Sequence, residues 1–213
     1  MLYLDSANAA SISRMLSTGL FHGVTTNPSV LAKAGLGSAD LAGLAELSRD
    51  CGAVTFFAQA TGTTVDEVRR SAAGIAEIGA DVVVKVVCTE VGLTVATELA
   101  TQGVPTLVTA VYHPAQMALA SAAGVAFVAP YLGRADDAGR SSIALVRDCV
   151  AISGNGGPRV LAASLRSVDH VAAAFVAGAH DVTVGEVVAL ALLSDDLTVA
   201  AADEFERIAA VAR

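Results

Sequence analysis

The sequence predicts an α/β fold, a single-domain (β/α)8 TIM barrel with an extra C-terminal helix. Eight short runs of β-type residues recur along the 213 residues, and Ala- and Leu-rich helical stretches lie between them. Strands that alternate with helices pair in parallel, and eight such units close into a barrel. A doubly wound open sheet is the alternative. However, the first strand is followed by Asp5-Ser6-Ala7-Asn8, not by the G-x-G-x-x-G loop of dinucleotide-binding sheets.

The eight runs differ in how clearly their residues predict a β-strand. The fourth run is the clearest, because five of its six residues, 82–87, are valine. A run of this kind is typical of a strand that is buried on both faces. The eight predicted strands are residues 2–5, 23–26, 54–60, 82–87, 106–111, 126–131, 159–164 and 181–184.

Helices are predicted where apolar residues recur with helical spacing between the strands. Gly79, Gly103, Gly124 and Gly178 each come just before the next strand, as expected for a turn that ends a helix. Two closing helices are predicted after the eighth strand, at residues 187–193 and about 197–212. No linker divides the chain, so residues 1–213 are expected to form one domain. The remaining predicted helices are residues 64–78, 91–102, 114–123, 143–153 and 168–177.

Composition limits the partners of this chain. A net charge of −8 and a pI near 4.8 argue against nucleic acid, whose phosphates require basic patches. No run approaches the ~18 apolar residues of a membrane span, and the N-terminus lacks the pattern of a signal peptide. We therefore expect a cytoplasmic protein with no membrane partner. Hydrophobic residues make up 54% of the chain, which predicts a homo-oligomer that covers part of its surface.

The cysteines and histidines indicate neither disulfides nor a metal site. The three cysteines are widely spaced and form no C-x-x-C motif, so we expect reduced thiols. The four histidines lack the spacing of metal ligands. The sequence therefore predicts no metal and no cofactor.

Lys85 is the most informative single residue, because it is the only charge inside the fourth, valine-rich run. An ammonium group buried there must find a partner or water, or lose its proton. A lowered pKa exposes the neutral amine, which forms Schiff bases with carbonyl substrates. The alternative is a lysine that reaches solvent or pairs with a carboxylate. This run alone does not decide between the two.

Polar side chains recur at the carboxyl ends of the predicted strands, where the active site of such a barrel lies. Asp5, Gln59 and Lys85 lie within or directly against apolar runs, a placement that costs stability. This pattern favours a functional site over the ordinary polarity of strand ends. The candidate residues are Asp5, Thr26, Asn27, Gln59, Lys85, Thr109, Tyr131, Arg134, Ser164 and Arg166.

These groups are suited to carbonyl chemistry. An amine that attacks a ketone forms an iminium, which accepts electrons when an adjacent C–C bond breaks. The carbinolamine and the departing aldehyde require a general acid and base. Three roles follow for the other candidates. Gln59, Thr109 and Tyr131 could hold a catalytic water, and Asp5 and Asn27 suit the hydroxyl groups of a polyol. Ser164, Arg134 and Arg166 suit a phosphate.

Several candidates also have a purely structural interpretation. Residues 25–29 fit a turn that caps a helix, and Asp5 fits a cap of the segment that follows it. Tyr131 fits an aromatic residue at the barrel rim whose hydroxyl reaches water. Arg134 and Arg166 fit surface charges.

Six short motifs occur in order at the strand ends. They are Leu4-Asp5, Gly23-Val-Thr-Thr-Asn-Pro-Ser29, Val83-Val-Lys-Val86, Thr109-Ala-Val-Tyr112, Val128-Ala-Pro-Tyr131 with Arg134, and Leu161-Ala-Ala-Ser164. With these motifs the chain resembles the transaldolase family over residues 2 to about 184, and more narrowly the short fructose-6-phosphate aldolases. The resemblance implies carbohydrate chemistry of the pentose phosphate type in a homo-oligomer, a pentamer or a decamer.

The resemblance also implies roles for individual residues. Lys85 would be the Schiff-base nucleophile, and the donor would be a dihydroxyacetone unit. Asp5 and the segment that contains Thr26 and Asn27 would bind the donor, with Ser164 also lining the site. Arg134 and Arg166 would bind the phosphate of a sugar phosphate. Arg166 is a departure, because the aldolases have lysine at that position.

Two positions bear on the reaction type. Transaldolases have glutamate in strand three and usually phenylalanine in strand six, whereas Gln59 and Tyr131 resemble the aldolases. The leading hypothesis is therefore a class I aldolase that cleaves or forms fructose 6-phosphate. The alternatives are a transaldolase and a non-catalytic barrel that binds sugar phosphates. Val87 and Gly185 stand where the family commonly has proline, which leaves the acceptor and the subunit packing open.

Overall fold

Eight parallel strands close into a barrel in the computed structural model, which describes residues 1–211. Each strand pairs with the next along the chain, and pairing of Leu2 with Val182 joins the first strand to the last. The predicted (β/α)8 TIM barrel is thereby confirmed. The strands are β1 (Leu2–Asp5), β2 (Phe21–Thr25), β3 (Thr55–Gln59), β4 (Val82–Val87), β5 (Thr106–Val111), β6 (Phe127–Pro130), β7 (Arg159–Ala162) and β8 (Asp181–Val184).

Helices form the outer layer, and the extra C-terminal helix is present. It spans Asp196–Val211, and residue 212 of the predicted range lies outside the described residues. The helices are α1 (Ala9–Leu16), α2 (Pro28–Lys33), α3 (Leu41–Asp50), α4 (Val65–Ala76), α5 (Glu90–Thr101), α6 (Ala115–Ala122), α7 (Leu132–Asp137), α8 (Ser142–Ser153), α9 (Val168–Val176), α10 (Glu186–Leu192) and α11 (Asp196–Val211).

The predicted strand boundaries are right for β1, β4, β5 and β8 and differ elsewhere. β2 begins earlier than predicted, at Phe21, which pairs with Leu2. β3 is one residue shorter at each end. β6 and β7 end before Tyr131 and Ser164, because only a single bridge from Tyr131 to Ala163 extends their pairing. These strands end where the chain turns away to carry site residues.

Large side chains fill the barrel interior below its carboxyl end. Phe57 contacts Tyr3 and Phe127 edge to face, with ring centroids 5.2 and 5.3 Å apart. At the amino-terminal end, fully buried Asp181 accepts two hydrogen bonds of 2.8 Å from Arg159. The interior is therefore packed at this end, and the space for a ligand lies at the other.

Gly23 permits the close approach of β2 and β3. A Cβ atom at this position would lie 1.9 Å from the carbonyl oxygen of Thr55. The strand pair therefore needs glycine here for steric reasons. This contact lies on the strand that leads into the 25–29 segment.

The helix-ending glycines agree with the prediction in three of four cases. Gly103, Gly124 and Gly178 follow α5, α6 and α9 with φ values of 74°, 71° and 97°. Gly79 does not adopt a positive φ. Among residues 1–211, no helix combines the length and apolar character needed to cross a membrane. Cys51, Cys88 and Cys149 are free thiols.

Candidate active site

A cavity of about 180 Å³ opens at the carboxyl ends of the strands. Seven of the ten residues predicted from the sequence line it, although they come from six different strands or the loops that follow them. The structure therefore brings these seven residues together at one end of the barrel, and their individual roles stay predictions. The seven are Asp5, Asn27, Lys85, Thr109, Tyr131, Arg134 and Ser164.

Lys85 lies on β4 and points into the barrel, where only 5% of it is exposed. Its Nζ donates a 2.6 Å hydrogen bond to the backbone carbonyl of Thr26. Burial lowers the pKa of Lys85 from 10.5 to about 8, and the carboxylate of Asp5 opposes part of that shift. A substantial fraction of this amine is therefore neutral just above neutral pH, which is the state required of a nucleophile.

Asp5 is held by a chain of hydroxyl groups across three strands. Thr25 on β2 donates a 2.7 Å hydrogen bond to the Asp5 carboxylate on β1. Thr25 also lies 2.7 Å from the hydroxyl of Thr183 on β8. Since the single Thr25 proton goes to Asp5, Thr183 must donate to Thr25. The chain fixes the orientation of the carboxylate in the cavity.

Tyr131 follows β6 and is kept protonated by its surroundings. Burial raises the pKa of its phenol. Thr109 on β5 donates a 2.9 Å hydrogen bond to the Tyr131 oxygen, so the phenolic proton stays available for another acceptor. The Arg134 guanidinium carbon lies 5.1 Å from the centre of the Tyr131 ring. The phenol of Tyr131 is therefore suited to donate a proton into the cavity.

Asn27 and Ser164 reach the cavity from loops that follow strands. The Asn27 side-chain oxygen accepts from the backbone N–H groups of Ser29 and Val30, so it caps α2, as its structural interpretation predicts. Its amide nitrogen remains as a donor for a ligand. Ser164 has a φ of 61°, in the left-handed region, which is uncommon for a residue other than glycine. This conformation brings Ser164 into the cavity directly after β7.

Gly133 allows the chain that carries Ser164 to approach α7. A Cβ atom on Gly133 would lie 2.6 Å from the Ser164 carbonyl oxygen and 2.5 Å from Nε of Arg166. The Gly133 N–H donates to that carbonyl at 2.9 Å. The absence of a side chain therefore permits the hydrogen bond that holds Ser164.

Three predicted residues are not among those that line the cavity. Gln59 is half-buried and pairs with Lys85 in the register of β3 and β4. The Thr26 hydroxyl is fully buried and donates to the Phe57 carbonyl, so only its backbone carbonyl contacts Lys85. Arg166 forms two hydrogen bonds with exposed Asp137. The roles of these three residues stay predictions.

The sequence analysis did not assign roles to three residues that line the cavity, Lys33, Thr25 and Thr183. The sequence holds one signal for Lys33, because the chain has only two lysines. In the structure both of them line this cavity. Lys33 also follows Ser29 by four residues on α2, so one face of that helix carries both side chains. Within residues 1–211, no group of three or more His, Cys, Asp or Glu side chains is arranged to hold a metal.

Comparison with known proteins agrees with this geometry. The family model described as Transaldolase/Fructose-6-phosphate aldolase matches residues 2–212. A probable transaldolase of Caulobacter sp. (strain K31) is 38% identical over 185 residues, which is 86% of this chain and 84% of that relative. A probable transaldolase of Phenylobacterium zucineum (strain HLK1) is 36% identical over 201 residues, 92% of this chain and 90% of that relative.

A third relative, a probable transaldolase of Herpetosiphon aurantiacus, is 36% identical over 200 residues, or 92% of this chain and 89% of the relative. The family model, at residues 2–212, includes every strand that lines the cavity. The family comprises Schiff-base enzymes, which sets aside the non-catalytic barrel. The chain belongs to the transaldolase/fructose-6-phosphate aldolase family.

Proposed function

We propose that this protein is a class I aldolase that cleaves fructose 6-phosphate to dihydroxyacetone and glyceraldehyde 3-phosphate, or forms it from them. The observation that carries the proposal is the buried Lys85 amine, with its lowered pKa, in one cavity with a phenol that burial keeps protonated. An amine poised to lose its proton and an acid poised to donate one are the two groups that iminium chemistry requires.

The reaction begins with attack of the neutral Lys85 amine on the C2 carbonyl of the ketose. The carbinolamine loses water to give an iminium, whose nitrogen accepts the electron pair of the C3–C4 bond when that bond breaks. The C4 hydroxyl passes its proton to the proposed catalytic water beside Tyr131 as the aldehyde forms. The remaining enamine takes up a proton at C3, and water then releases dihydroxyacetone and restores the amine.

The polar groups of the cavity fit the donor half of this reaction. In the proposal Asp5 and Asn27 bind donor hydroxyls, because one offers a fixed carboxylate and the other a free amide nitrogen. Ser164 lines the same cavity, and Tyr131 supplies the proton for C3 in the proposal. Gln59 and Thr109 would hold water beside Tyr131, and the hydrogen bond from Thr109 to Tyr131 supports this role for Thr109 alone.

Transaldolase activity is the second candidate. The relatives cited above carry the name probable transaldolase. A transaldolase holds the enamine until an acceptor aldehyde arrives, whereas an aldolase protonates it. Gln59 and Tyr131 favour the aldolase, because the protonated phenol of Tyr131 faces the space where the enamine would form.

Product analysis separates the two activities. The protein is incubated with fructose 6-phosphate, with and without erythrose 4-phosphate, and the products are measured by chromatography. We expect free dihydroxyacetone without the acceptor. Formation of sedoheptulose 7-phosphate only with the acceptor would make the protein a transaldolase and contradict the role of Tyr131.

The Lys85→Met variant is the matched control for both activities. We expect it to lose turnover, and also to lose the covalent adduct that borohydride traps with dihydroxyacetone in the parent protein. The methionine has nearly the same length without the amine. If the variant still forms the trapped adduct, Lys85 is not the nucleophile, and both enzyme proposals fail as written.

Assembly and location are proposed on the same basis. We propose a homo-oligomer, either a pentamer or a decamer, and a cytoplasmic enzyme of pentose phosphate chemistry. Exposed apolar side chains on α11 support an assembly, among them Leu197 and Phe205. The acidic chain, with its pI near 4.8, supports the absence of nucleic acid as a partner.

A further inference from the structure

Lys33 is the second lysine of a chain that has only two, and it shares a cavity with Lys85. It is the last residue of α2, the helix that Asn27 caps at the rim of the barrel. Ser29 and Val30 of the same helix also line the cavity. One face of α2 therefore forms a wall of the cavity, and Lys33 contributes a cation to that wall.

The ammonium group of Lys33 makes no ion pair in the part of the chain that the structure describes, residues 1–211. The other charged residues that line the two cavities are the acidic Asp5 and Glu186 and the basic Arg134 and Lys85. Asp5 is already engaged by Thr25. Arg134 likewise has no carboxylate partner within residues 1–211 and lies over the Tyr131 ring. Two cations of the cavity wall thus remain available to an anion.

A second cavity of about 480 Å³ adjoins the first and shares Asp5, Val30 and Lys33 with it. Lys33 therefore lies at the junction of the two cavities, where their linings overlap. Ser6, Asn8 and Glu186 line the second cavity. Because Glu186 is acidic, the far part of this space repels an anion, whereas the junction beside Lys33 attracts one.

The first cavity is too small to hold a whole sugar phosphate, so part of such a substrate would lie near the junction. Its volume of about 180 Å³ is below the ~300–1,000 Å³ of typical ligand pockets, so a six-carbon sugar phosphate must extend beyond it. The donor carbons have to reach Lys85 at the bottom. The other end of the molecule consequently lies at the mouth, where Lys33 stands.

We propose that Lys33 determines substrate specificity by binding the anionic end of the acceptor aldehyde at the junction of the two cavities. This inference rests on the proposed aldol chemistry, because it assigns the acceptor half of the same site. The ligand class is an aldehyde that carries a phosphate or a similar anion. An ammonium that donates to a phosphate forms a charge-assisted hydrogen bond, whose loss reduces binding by about ten- to hundredfold.

The kinetic test compares two acceptors in the synthetic direction, glyceraldehyde 3-phosphate and uncharged glyceraldehyde, with dihydroxyacetone as donor. The readout is the ratio of their kcat/KM values. Lys33→Met is expected to lower this ratio at least tenfold, mainly through KM for the phosphorylated acceptor. Lys33→Arg is expected to restore most of it, since the charge returns. An unchanged ratio in Lys33→Met overturns the proposal, even if both activities fall.

A matched control removes a cation that does not line either cavity. Arg14 is an exposed residue on α1. Arg14→Met changes the net charge by the same amount as Lys33→Met, so it reports any general electrostatic effect on an anionic substrate. We expect the ratio to stay the same in this variant. An equal fall in both variants would assign the effect to net charge and overturn the role of Lys33.

A second measurement does not depend on turnover. The parent protein is reductively methylated with and without inorganic phosphate at equal ionic strength, and the Lys33 and Lys85 peptides are quantified by mass spectrometry. We expect phosphate to slow methylation of Lys33 severalfold. Equal labelling overturns the proposal. If the parent protein fails to trap dihydroxyacetone, the proposed function fails, and phosphate protection alone then decides whether Lys33 binds anions.

Discussion

At the scale of single residues, the position of Lys85 favours the neutral form of its amine near neutral pH. Five valines surround it in sequence, and the barrel wall removes it from water. Burial disfavours the charged ammonium and lowers the pKa of Lys85 to about 8. The Thr26 carbonyl accepts its hydrogen bond without adding a negative charge, so it only partly compensates for the lost hydration.

The pH dependence of the reaction follows from this pKa. The proposed nucleophile is the neutral amine of Lys85, so kcat/KM should rise with pH and level off above a midpoint near 8. The Asp5 carboxylate favours the ammonium form and therefore raises the Lys85 pKa. Asp5→Asn should then move the midpoint to lower pH, even though the rate itself falls. Initial rates measured across a pH series give the midpoint for each variant.

The control for this shift is Asp50→Asn, which removes an exposed carboxylate from the end of α3. Asp50 does not line the cavity, and water screens its charge, so the midpoint should not move. A midpoint in Asp5→Asn that stays in place or moves to higher pH would contradict the assignment of the titrating group to Lys85.

At the scale of secondary structure elements, candidate site residues lie at the strand ends because regular strand pairing ends just before them. β6 and β7 give up regular pairing just before Tyr131 and Ser164, which frees both residues to turn into the cavity. Thr25 remains in the strand ladder and buttresses Asp5 from β2. The rigid barrel therefore holds the polar groups, while the short loops after the strands set their directions.

Gly23→Ala tests the close contact of β2 and β3. The added methyl group would lie 1.9 Å from the Thr55 carbonyl oxygen, so the strands must separate. We expect the free energy of unfolding to fall by at least ~3 kcal/mol, measured by urea denaturation where unfolding is reversible. Loss of less than ~1 kcal/mol would mean that the strands accommodate the methyl group.

Gly74→Ala is the matched control, since it makes the same chemical change in α4. Gly74 is exposed, and a Cβ atom there would meet nothing within 4 Å. Alanine is the better helix former, so this variant should be more stable by about 0.5–1 kcal/mol. Opposite changes in the free energy of unfolding would show that the loss in Gly23→Ala comes from the steric contact and not from alanine itself.

At the scale of the whole molecule, α11 differs from the other helices in its packing. None of its residues up to Val211 is buried, although it carries Leu197, Phe205 and Ile208. The exposed fractions of these side chains are 82%, 69% and 59%. Apolar side chains that a lone barrel leaves in water are favoured at a subunit interface. The proposed homo-oligomer gives this helix a partner.

Light scattering after size-exclusion chromatography tests the assembly. We expect a mass of several times the 21.3 kDa of one chain. Phe205→Glu should reduce that mass, because it introduces a charge into the apolar face of α11. Glu206→Gln is the control, since Glu206 lies about half a turn away from Leu197 and Ile208 around the helix. A mass of one chain for the parent protein would contradict the proposed oligomer.

The sequence by itself determined the barrel and singled out Lys85 as the proposed nucleophile, because both inferences depend on local patterns. Valine-rich runs and helix-ending glycines are visible within a few residues of each other, and a charge inside such a run identifies Lys85. The tertiary structure alone decided which polar groups meet. Thr183 supports Asp5 only because β8 closes against β1, and Lys33 reaches the cavity only because α2 lies across its mouth. Arg166 is close to Ser164 in sequence, yet it pairs with Asp137 outside the cavity, since side-chain direction depends on packing that sequence spacing does not specify.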